Sequence, residues 1–326
     1  MATRGSPLAL QQSRWVQSEL ERLVPELHVE LLTIRTTGDR VRSVPLPEIG
    51  GKGLFTKELE DALQEGRAHC AVHSLKDLPT ELPGELTLAC VPRREDSRDV
   101  WISRDGASLA ELPANARVGT SSLRRSAQLR RIRPDLVIVP LRGNLETRLR
   151  KLREGDLSAI VLAAAGMHRM GFADQVTTYF PPETICPAVG QGALGIEARA
   201  SDTETLQLLA RLEEPSARVT ATAERSLLRS LGGGCQVPIA ATAWFQKDCE
   251  ALRLALTALV IRPDGSDAVQ TSEVCAAGGE QPPGDAIAIA ENLGRVAAQR
   301  LLALGAGRIL VSLASESPDL PAPQTP

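Results

Sequence analysis

The sequence lacks the segments that would place a protein in or across a membrane. Within its 326 residues, no apolar run approaches the roughly 20 residues that span a bilayer. The first ten residues, MATRGSPLAL, contain no apolar stretch of the kind that a signal peptide requires. We therefore expect a cytoplasmic protein without a membrane partner.

Cysteine and histidine patterns that bind metals are also missing. The six cysteines include no C-x-x-C pair, and the four histidines show no convincing ligand spacing. His69 and His73 lie four residues apart, but they belong to an apolar segment, for which core packing is the simpler interpretation. We expect no metal site, and we expect five of the six thiols to be buried or idle in a reducing compartment.

The charge of the chain does not favour nucleic-acid binding. The net charge is −3 at pH 7, whereas a general nucleic-acid binder is basic over a whole domain. The arginine-rich segment LRRSAQLRRIR also lacks the aromatic side chains on which single strands stack. Local clusters of arginine in such a chain favour a small, highly anionic ligand instead.

The length of the chain allows two or three domains. The order of the predicted strands and helices changes in the last third of the chain. The earlier part alternates short apolar runs with amphipathic helical segments, which predicts α/β lobes with parallel sheets covered on both faces. The last third predicts a helix ended by Gly232, three antiparallel strands with a Pro-Asp-Gly turn, and a long amphipathic helix. This part is expected to be a small α+β domain, and the Pro-rich end is expected to be disordered.

Several polar segments follow predicted strands where helices begin. In parallel α/β sheets, ligands bind beyond the carboxyl ends of the strands, where helix N-termini face anions. ATRGSPLAL places Ser6 as an N-cap before Pro7, GTSSLRR places three hydroxyl residues at a helix start, and LRGNLETRLRKL places Arg142 before a turn. Each segment alone is more often a simple cap or a solvated face. Their recurrence at one topological position predicts an anion site.

Three loops carry further candidate chemistry. HSLKDLP places Lys76 and Asp77 directly after a predicted strand, although an inert exposed pair is the commoner alternative. GGKGLFTKEL is glycine-rich but does not match the phosphate-loop pattern, so a lid with Lys52 and Phe55 facing inward is the alternative. LGGGCQVPIA places Cys235 directly after three glycines, where a backbone free to take left-handed conformations allows a close approach to the main chain.

Seven motifs in this order closely resemble those of the porphobilinogen deaminase family: ATRGSPLAL, GGKGLFTKELE, AVHSLKDLP, VGTSSLRR, LRGNLETRL, PAVGQGALGIE and GGGCQVP. The resemblance covers residues 2 to about 313, and seven motifs in register are very specific. It implies a transferase that joins four porphobilinogen molecules head to tail, releases ammonia each time, and finally releases hydroxymethylbilane with water. It also implies a dipyrromethane cofactor that primes the chain and is attached to Cys235 by a thioether.

The resemblance assigns roles to matching residues. Asp77 matches the catalytic aspartate, whose carboxylate stabilises the cationic azafulvene formed as ammonia leaves. Each pyrrole ring carries an acetate and a propionate, and guanidinium forks suit such carboxylates. The residues expected to bind the cofactor are Ser74, Lys76, Thr120, Ser121, Ser122, Arg124, Arg125, Arg142, Gly143, Gln191, Gly192 and Cys235. The residues expected to bind substrate are Arg4, Ser6, Gln12, Lys52, Phe55, Arg148 and Arg169.

The resemblance implies three domains, namely two α/β lobes like those of periplasmic binding proteins and a small α+β domain that presents the cysteine. The expected limits are 1–92 with 193–212 for domain 1, 98–187 for domain 2, 215–314 for domain 3 and 315–326 for a disordered tail. PRREDSRD and CPAVGQGA are then the two crossings between the first two domains.

The expected protein is thus a monomeric enzyme of porphyrin and heme synthesis. A non-catalytic, two-lobed anion-binding protein is the alternative. It would explain the arginines and the helix N-termini, but it would leave Cys235 and Asp77 without a role.

Overall fold

A computed structural model of the protein describes residues 1–40, 54–232, 237–248, 251–276 and 283–316. The chain divides into two compact units. Unit 1 is Met1–Glu95 with Gly192–Arg218, and unit 2 is Asp96–Gln191 with Val219–Pro326. The two boundaries near residues 95 and 191 fall inside the segments predicted as crossings. Unit 2 contains the range assigned to domain 2 and, from Val219 onward, the range assigned to domain 3, so the three-domain limits stay a prediction.

The elements are numbered in chain order. The strands are β1 Ala2–Arg4, β2 Leu32–Ile34, β3 Cys70–Ser74, β4 Leu86–Cys90, β5 Asp99–Ser103, β6 Arg117–Gly119, β7 Val137–Val139, β8 Ala159–Ala163, β9 Thr178–Tyr179, β10 Leu194–Arg199, β11 Ile239–Asp248, β12 Ala251–Ile261 and β13 Ala268–Ala276. The α-helices are α1 Pro7–Leu23, α2 Thr37–Arg40, α3 Lys57–Gln64, α4 Leu123–Ile132, α5 Leu145–Glu154, α6 Ala164–Arg169, α7 Thr203–Ala210, α8 Pro215–Ser230, α9 Pro283–Ala303 and α10 Ala306–Glu316. Short 3-10 turns cover Leu75–Asp77 and Ala173–Gln175.

Unit 1 contains one sheet with the strand order β2-β1-β3-β10-β4. The helix α1 begins as predicted, because Ser6 accepts a hydrogen bond from the backbone of Ala9 and Pro7 occupies the first turn. Val16 on α1 and Leu59 on α3 are both fully buried, and they belong to separate core clusters that also include residues of the central strand β3. The sheet is therefore covered on both faces, as the alternation of strands and helices predicts.

Unit 2 contains a second sheet with the order β7-β6-β8-β5-β9, and its two faces are again covered. The expectation of purely parallel sheets is wrong for both units, since β10 and β5 run antiparallel to their neighbours. Each of these strands begins directly after a predicted crossing segment. Its direction is therefore set by the crossing and not by a helix that returns the chain to the same end of the sheet.

The last third of the chain folds as the sequence predicts. The helix α8 is followed by Gly232 at φ +64°, and β11, β12 and β13 form an antiparallel sheet in the order of the chain. Leu254 and Leu256 of β12 are fully buried in a core with residues of α8, α9 and α10. The long predicted helix is α9, and α10 continues beyond Gly305, which has a φ of +105°. The expected disordered tail lies outside the described residues from residue 317 onward.

The turn after β12 packs directly against α4 within unit 2. The side chain of Arg130 donates from Nη1 to the carbonyl of Pro263 at 2.8 Å. Gly265 has a φ of +79°, and a Cβ at this position would lie 2.8 Å from the carbonyl oxygen of Ala127 and 2.8 Å from the backbone nitrogen of Arg131. Only glycine therefore fits this approach of two backbones without strain.

Among the described residues, no single helix is long and apolar enough to cross a membrane. The helices α9 and α10, taken together, have the length and apolar composition of a membrane span, but the pair is bent by 83°.

We predict that Gly265→Ala destabilises the protein by about 2–4 kcal/mol, because it combines a left-handed conformation with a clash against helix backbone. The matched control is Gly106→Ala, since Gly106 has a similar φ of +77° and a Cβ added there would meet no atom within 4 Å. That control should cost only about 1–2 kcal/mol. Chemical denaturation of both variants measures the difference, and equal losses would contradict the packing argument.

Candidate active site

The candidate catalytic site of unit 1 lies where neighbouring parallel strands end. Because β1 pairs in parallel with β3, the residues after both strands meet at one edge of the sheet. Arg4 ends β1, and Ser74 ends β3 directly before the 3-10 turn that carries Lys76 and Asp77. The backbone nitrogen of Leu75 donates to the carbonyl of Ala193 at 3.0 Å, which ties this turn to the segment that leads into β10.

A cavity of about 80 Å³ gathers most of the predicted residues of unit 1. The guanidinium carbon of Arg4 lies 4.1 Å from the centre of the Phe55 ring, which is a cation–π contact. Gln12 is almost fully buried on α1, and its side-chain nitrogen lies 3.1 Å from Oγ of Ser74. The residues that line the cavity are Arg4, Ser6, Leu8, Ala9, Gln12, Phe55, Thr56, Val72, His73, Ser74 and Asp77.

Two buried side chains beside this cavity were not assigned to the site from the sequence. Nε2 of His73 lies 3.1 Å from Oε2 of Glu197, and their side chains are only 3% and 0% exposed. Burial also raises the pKa of the nearby Glu60 carboxyl, and the negative charge of Glu197 adds to that rise. Core packing was expected for His69 as well, but His69 is exposed because it precedes β3, so that expectation holds for His73 alone.

The polar segments of unit 2 also lie at one edge of a sheet. The strands β7, β6 and β8 are parallel neighbours, and they are followed by α5, α4 and α6. Ser122 caps α4 by accepting a hydrogen bond from the backbone of Arg125, and Asn144 caps α5. Ser121 connects the two loops, since its hydroxyl donates to the carbonyl of Leu141 at 3.0 Å. The recurrence of helix starts predicted from the sequence is therefore present.

The remaining predicted residues of unit 2 follow the same edge. Gly143 has a φ of +119°, and a side chain there would meet Thr147, so the turn before α5 requires glycine. Arg142 is half-buried, and Arg148 donates from Nε to the carbonyl of Gly143 at 2.8 Å. Arg169 stands at the far end of the short helix α6 and is half-buried.

Arg124 and Arg125, which the resemblance assigns to cofactor binding, form a buried ionic cluster. Both are about 94% buried, and both bind the carboxylate of Asp99, at 2.6 Å in each case. Arg124 donates a second bond from Nη1 to the carbonyl of Cys186 at 2.6 Å. Arg125 uses Nε, Nη1 and Nη2 in bonds to Asp99 and to the carbonyl of Val161.

The resulting cluster carries a net positive charge. Two guanidiniums against one carboxylate leave one positive charge uncompensated within the cluster. Burial by itself would raise the pKa of Asp99, but Arg124 and then Arg125 outweigh it and hold that pKa well below its ordinary value. Burial lowers the pKa of Arg125, and the charge of Asp99 opposes that change. In the folded protein, the Asp99 carboxyl therefore stays ionised in the acidic pH range in which a free aspartate side chain starts to take up a proton.

Two predicted residues at the second crossing belong to different units. In unit 2, Gln191 donates from Nε2 to Oδ1 of Asp99 and to the carbonyl of Ser97, both at 2.8 Å. Gln191 is thus part of the cationic cluster. In unit 1, Gly192 has a φ of +86°, and its carbonyl accepts a bond from the backbone nitrogen of Glu95 at 3.2 Å.

The described thiols are poor nucleophiles. Burial raises the pKa of Cys70 to about 11 and that of Cys186 to about 12, and it also raises those of Cys90 and Cys275. The other two cysteines, Cys235 and Cys249, lie outside the described residues, as does Lys52. Within the described part of the chain, no group of three or more acidic, histidine or cysteine side chains could hold a metal ion.

The fold and these sites define an α/β protein whose polar residues gather at the carboxyl ends of parallel strands. A family model described as "Porphobilinogen deaminase, dipyromethane cofactor binding domain" matches residues 1–207. A second model, "Porphobilinogen deaminase, C-terminal domain", matches residues 218–303. The chain therefore belongs to the porphobilinogen deaminase family, whose members act on porphobilinogen and contain a domain that binds the dipyrromethane cofactor.

Two porphobilinogen deaminases of similar sequence agree with this assignment. A porphobilinogen deaminase from Syntrophobacter fumaroxidans is 50% identical over 310 residues, which cover 95% of this chain and 96% of that protein. One from Syntrophotalea carbinolica is 49% identical over 313 residues, which cover 96% of this chain and 95% of that protein. Among solved structures, a lipoprotein of the YaeC family from Enterococcus faecalis V583 is 15% identical with a TM-score of 0.37, covering 65% of this chain and 88% of that chain.

We predict that Asp99→Asn destabilises the protein by about 3–5 kcal/mol, because it leaves two buried guanidiniums without a counter-charge. The control is Asp156→Asn, which removes the charge of a 72% exposed carboxylate that pairs with Arg117. An exposed pair of this kind contributes less than about 1 kcal/mol. Urea denaturation of both variants tests the difference, and similar midpoints would show that Asp99 does not hold the cluster together.

Proposed function

We propose that the protein is a hydroxymethylbilane synthase, a transferase that acts as a monomer in the cytoplasm. It condenses four porphobilinogen molecules head to tail with loss of ammonia and releases the linear tetrapyrrole by hydrolysis. The observation that carries this proposal is the placement of Asp77 in one cavity with Arg4, Ser6 and Gln12. An anionic side chain beside cationic and neutral donors suits a substrate that bears carboxylates and becomes a cation as it reacts.

Asp77 supplies the electrostatic part of the reaction in this proposal. Its carboxylate accepts hydrogen bonds from the pyrrole N–H and stabilises the azafulvene cation formed when ammonia leaves porphobilinogen. Arg4, held over the ring of Phe55, binds a substrate carboxylate, and the start of α1 at Ser6 offers further donors to it. Ser74 and Gln12 contribute neutral hydrogen-bonding groups to the same cavity.

The donors of unit 2 fit a dipyrromethane cofactor, which bears several carboxylates. The cluster of Asp99, Arg124 and Arg125 has one positive charge in excess, and a carboxylate is the natural group to compensate it. Nε of Arg124 is buried without a hydrogen-bond partner among the described residues, so the protein does not use all the donors of this guanidinium. The residues of unit 2 that would hold the cofactor are Thr120, Ser121, Ser122, Arg124, Arg125, Arg142, Gly143 and Gln191.

The cofactor supplies the pyrrole ring on which chain growth begins, and we propose that Cys235 holds it by a thioether. The described thiols support this choice indirectly, because burial disfavours their thiolate forms. A thiolate is a far better nucleophile toward a carbon electrophile than a hydroxyl group. A thioether also resists the thiol exchange that would release a disulfide-linked group. In unit 2, Arg148 and Arg169 bind carboxylates of the substrate in this proposal.

We predict that Asp77→Asn slows chain growth by at least about a hundredfold, because it preserves the shape but removes the charge that stabilises the azafulvene cation. Ammonia release from porphobilinogen under single-turnover conditions measures the effect. Asp105→Asn is the control, since Asp105 is exposed in unit 2 and has no role in the site. Normal ammonia release by Asp77→Asn would remove Asp77 from the mechanism.

We predict that the intact purified protein is heavier than its sequence by the mass of one dipyrromethane and that reducing agents do not remove this mass. Cys235→Ser should lack the added mass, because a hydroxyl group is too weak a nucleophile. Cys275→Ser, which changes a half-buried thiol of β13, should retain it. Intact-protein mass spectrometry tests all three chains, and an active wild-type protein with only its sequence mass would overturn the covalent attachment.

A further inference from the structure

The pair of His73 and Glu197 resembles the arrangement in which a carboxylate orients a catalytic imidazole. Gly195 of β10 lies opposite His73 of β3, so Glu197, two residues further along, is on the same face of the sheet. Nε2 of His73 and Oε2 of Glu197 are 3.1 Å apart. Nε2 of His73 and both carboxylate oxygens of Glu197 are buried, and none of the three has another hydrogen-bond partner in the described part of the chain. Because a buried carboxylate requires a hydrogen-donating neighbour, Nε2 is the ring nitrogen on which we place the proton.

The other ring nitrogen of His73 is the accessible one. The buried atoms without a hydrogen-bond partner in the described part of the chain include Nε2 of His73 but not Nδ1. No described residue makes a hydrogen bond to Nδ1, so Nδ1 accounts for part of the small exposed surface of the ring. His73 also lines the cavity that contains Asp77. With the proton of a neutral imidazole on Nε2, Nδ1 carries the lone pair that can accept a proton.

We propose that His73 is a second catalytic residue, the general base that removes the α-hydrogen from a substrate-derived pyrrole ring during chain growth. Glu197 is the positioning residue that fixes the tautomer and orientation of His73. This inference rests on the proposed function, because it requires porphobilinogen to be bound in the cavity beside Asp77.

The proton transfer conserves atoms and charge. The free α-carbon of a pyrrole ring supplied by an earlier substrate molecule forms a carbon–carbon bond to the methylene carbon of the azafulvene cation. The α-C–H bond then breaks, its electron pair restores the aromatic ring, and the proton passes to Nδ1 of His73. The ammonia released from the same substrate molecule accepts this proton and leaves as ammonium, which returns His73 to its neutral form.

Asp77 and His73 have separable tasks in this scheme. Asp77 must remain an anion while the azafulvene cation exists, since its charge stabilises that cation. A second group that accepts a proton near neutral pH allows the ring to lose its hydrogen without neutralising Asp77, and imidazole is the side chain best suited to that task.

The test uses porphobilinogen deuterated at its free α-carbon with the complete, cofactor-loaded enzyme. His73→Gln is expected to lower kcat by about a hundredfold or more. In this variant C–H cleavage becomes rate-limiting, so deuterated substrate should turn over at least about twofold more slowly than ordinary substrate. The matched control is His69→Gln, the same substitution at an exposed histidine four residues away, which should behave as wild type.

The isotope effect is a ratio measured on one preparation, so partial unfolding of a variant does not change it. Glu197→Gln should also show the isotope effect with a smaller loss of kcat, because the imidazole remains but is less firmly oriented. The double variant with His73→Gln and Glu197→Gln avoids an unpaired buried carboxylate and should show the same isotope effect as His73→Gln. Thermal unfolding of each variant reports its folded fraction independently.

The outcomes separate this inference from the proposed function. Wild-type kcat in His73→Gln, or a slow variant without an isotope effect, would overturn the role of His73 as the base. Asp77→Asn is expected to be slow without an isotope effect, because ammonia loss limits its rate. Normal turnover of Asp77→Asn would instead refute the proposed role of Asp77, whatever the result at His73.

Discussion

The carboxylate of Asp99 is the buried charge that joins β5, α4 and the second crossing segment in unit 2. It starts β5 directly after the first crossing segment and binds Arg124 and Arg125 in the first turns of α4. Gln191, at the second crossing segment, donates to the same carboxylate. One buried anion therefore fixes a strand, a helix and a connecting segment together. Because it neutralises only one of the two guanidiniums, it fixes them in a state that still attracts an anion.

The two units present different charged groups at the carboxyl ends of their parallel strands. The edge of unit 1 carries the carboxylate of Asp77 in one cavity with Arg4, whereas the edge of unit 2 carries arginines and helix N-termini. The proposed reaction passes through a cation and builds a polyanion, so it uses both kinds of group. In that proposal, a carboxylate lowers the barrier to forming the cation, and guanidiniums hold the growing chain by its acidic side chains. Separate sheets allow each environment to be built without neutralising the other.

The local structure could be predicted from the sequence because its signals are local. Ser6 before Pro7 starts α1, Ser122 starts α4, and Gly232 follows the end of α8, each as its residue type dictates. The antiparallel sheet of the last third and the helices on both faces of the earlier sheets also follow from hydrophobic periodicity.

The orientation of β5 and β10 could not be predicted in this way, because it is set by how the chain crosses between sheets. The pairs of buried charged residues could not be predicted from the sequence either, because they form between residues that are distant in the chain. Nothing in the charged run before Asp99 marks one acidic residue as buried. Glu197 of β10 lies beside His73 of β3 although the first segment of unit 2 separates these strands in the sequence.

Arg124 and Arg125 illustrate why such pairing matters for the site. The sequence gives two adjacent arginines the same role, yet their donors are used differently in the folded protein. Arg125 uses all three of its nitrogens within the protein, whereas both hydrogen bonds given by Arg124 come from Nη1. A guanidinium has five N–H donors, and the buried Nε of Arg124 has no partner among the described residues. Among the described residues, the side chain of Arg125 therefore makes more hydrogen bonds than that of Arg124, a difference that two adjacent arginines in a sequence do not reveal.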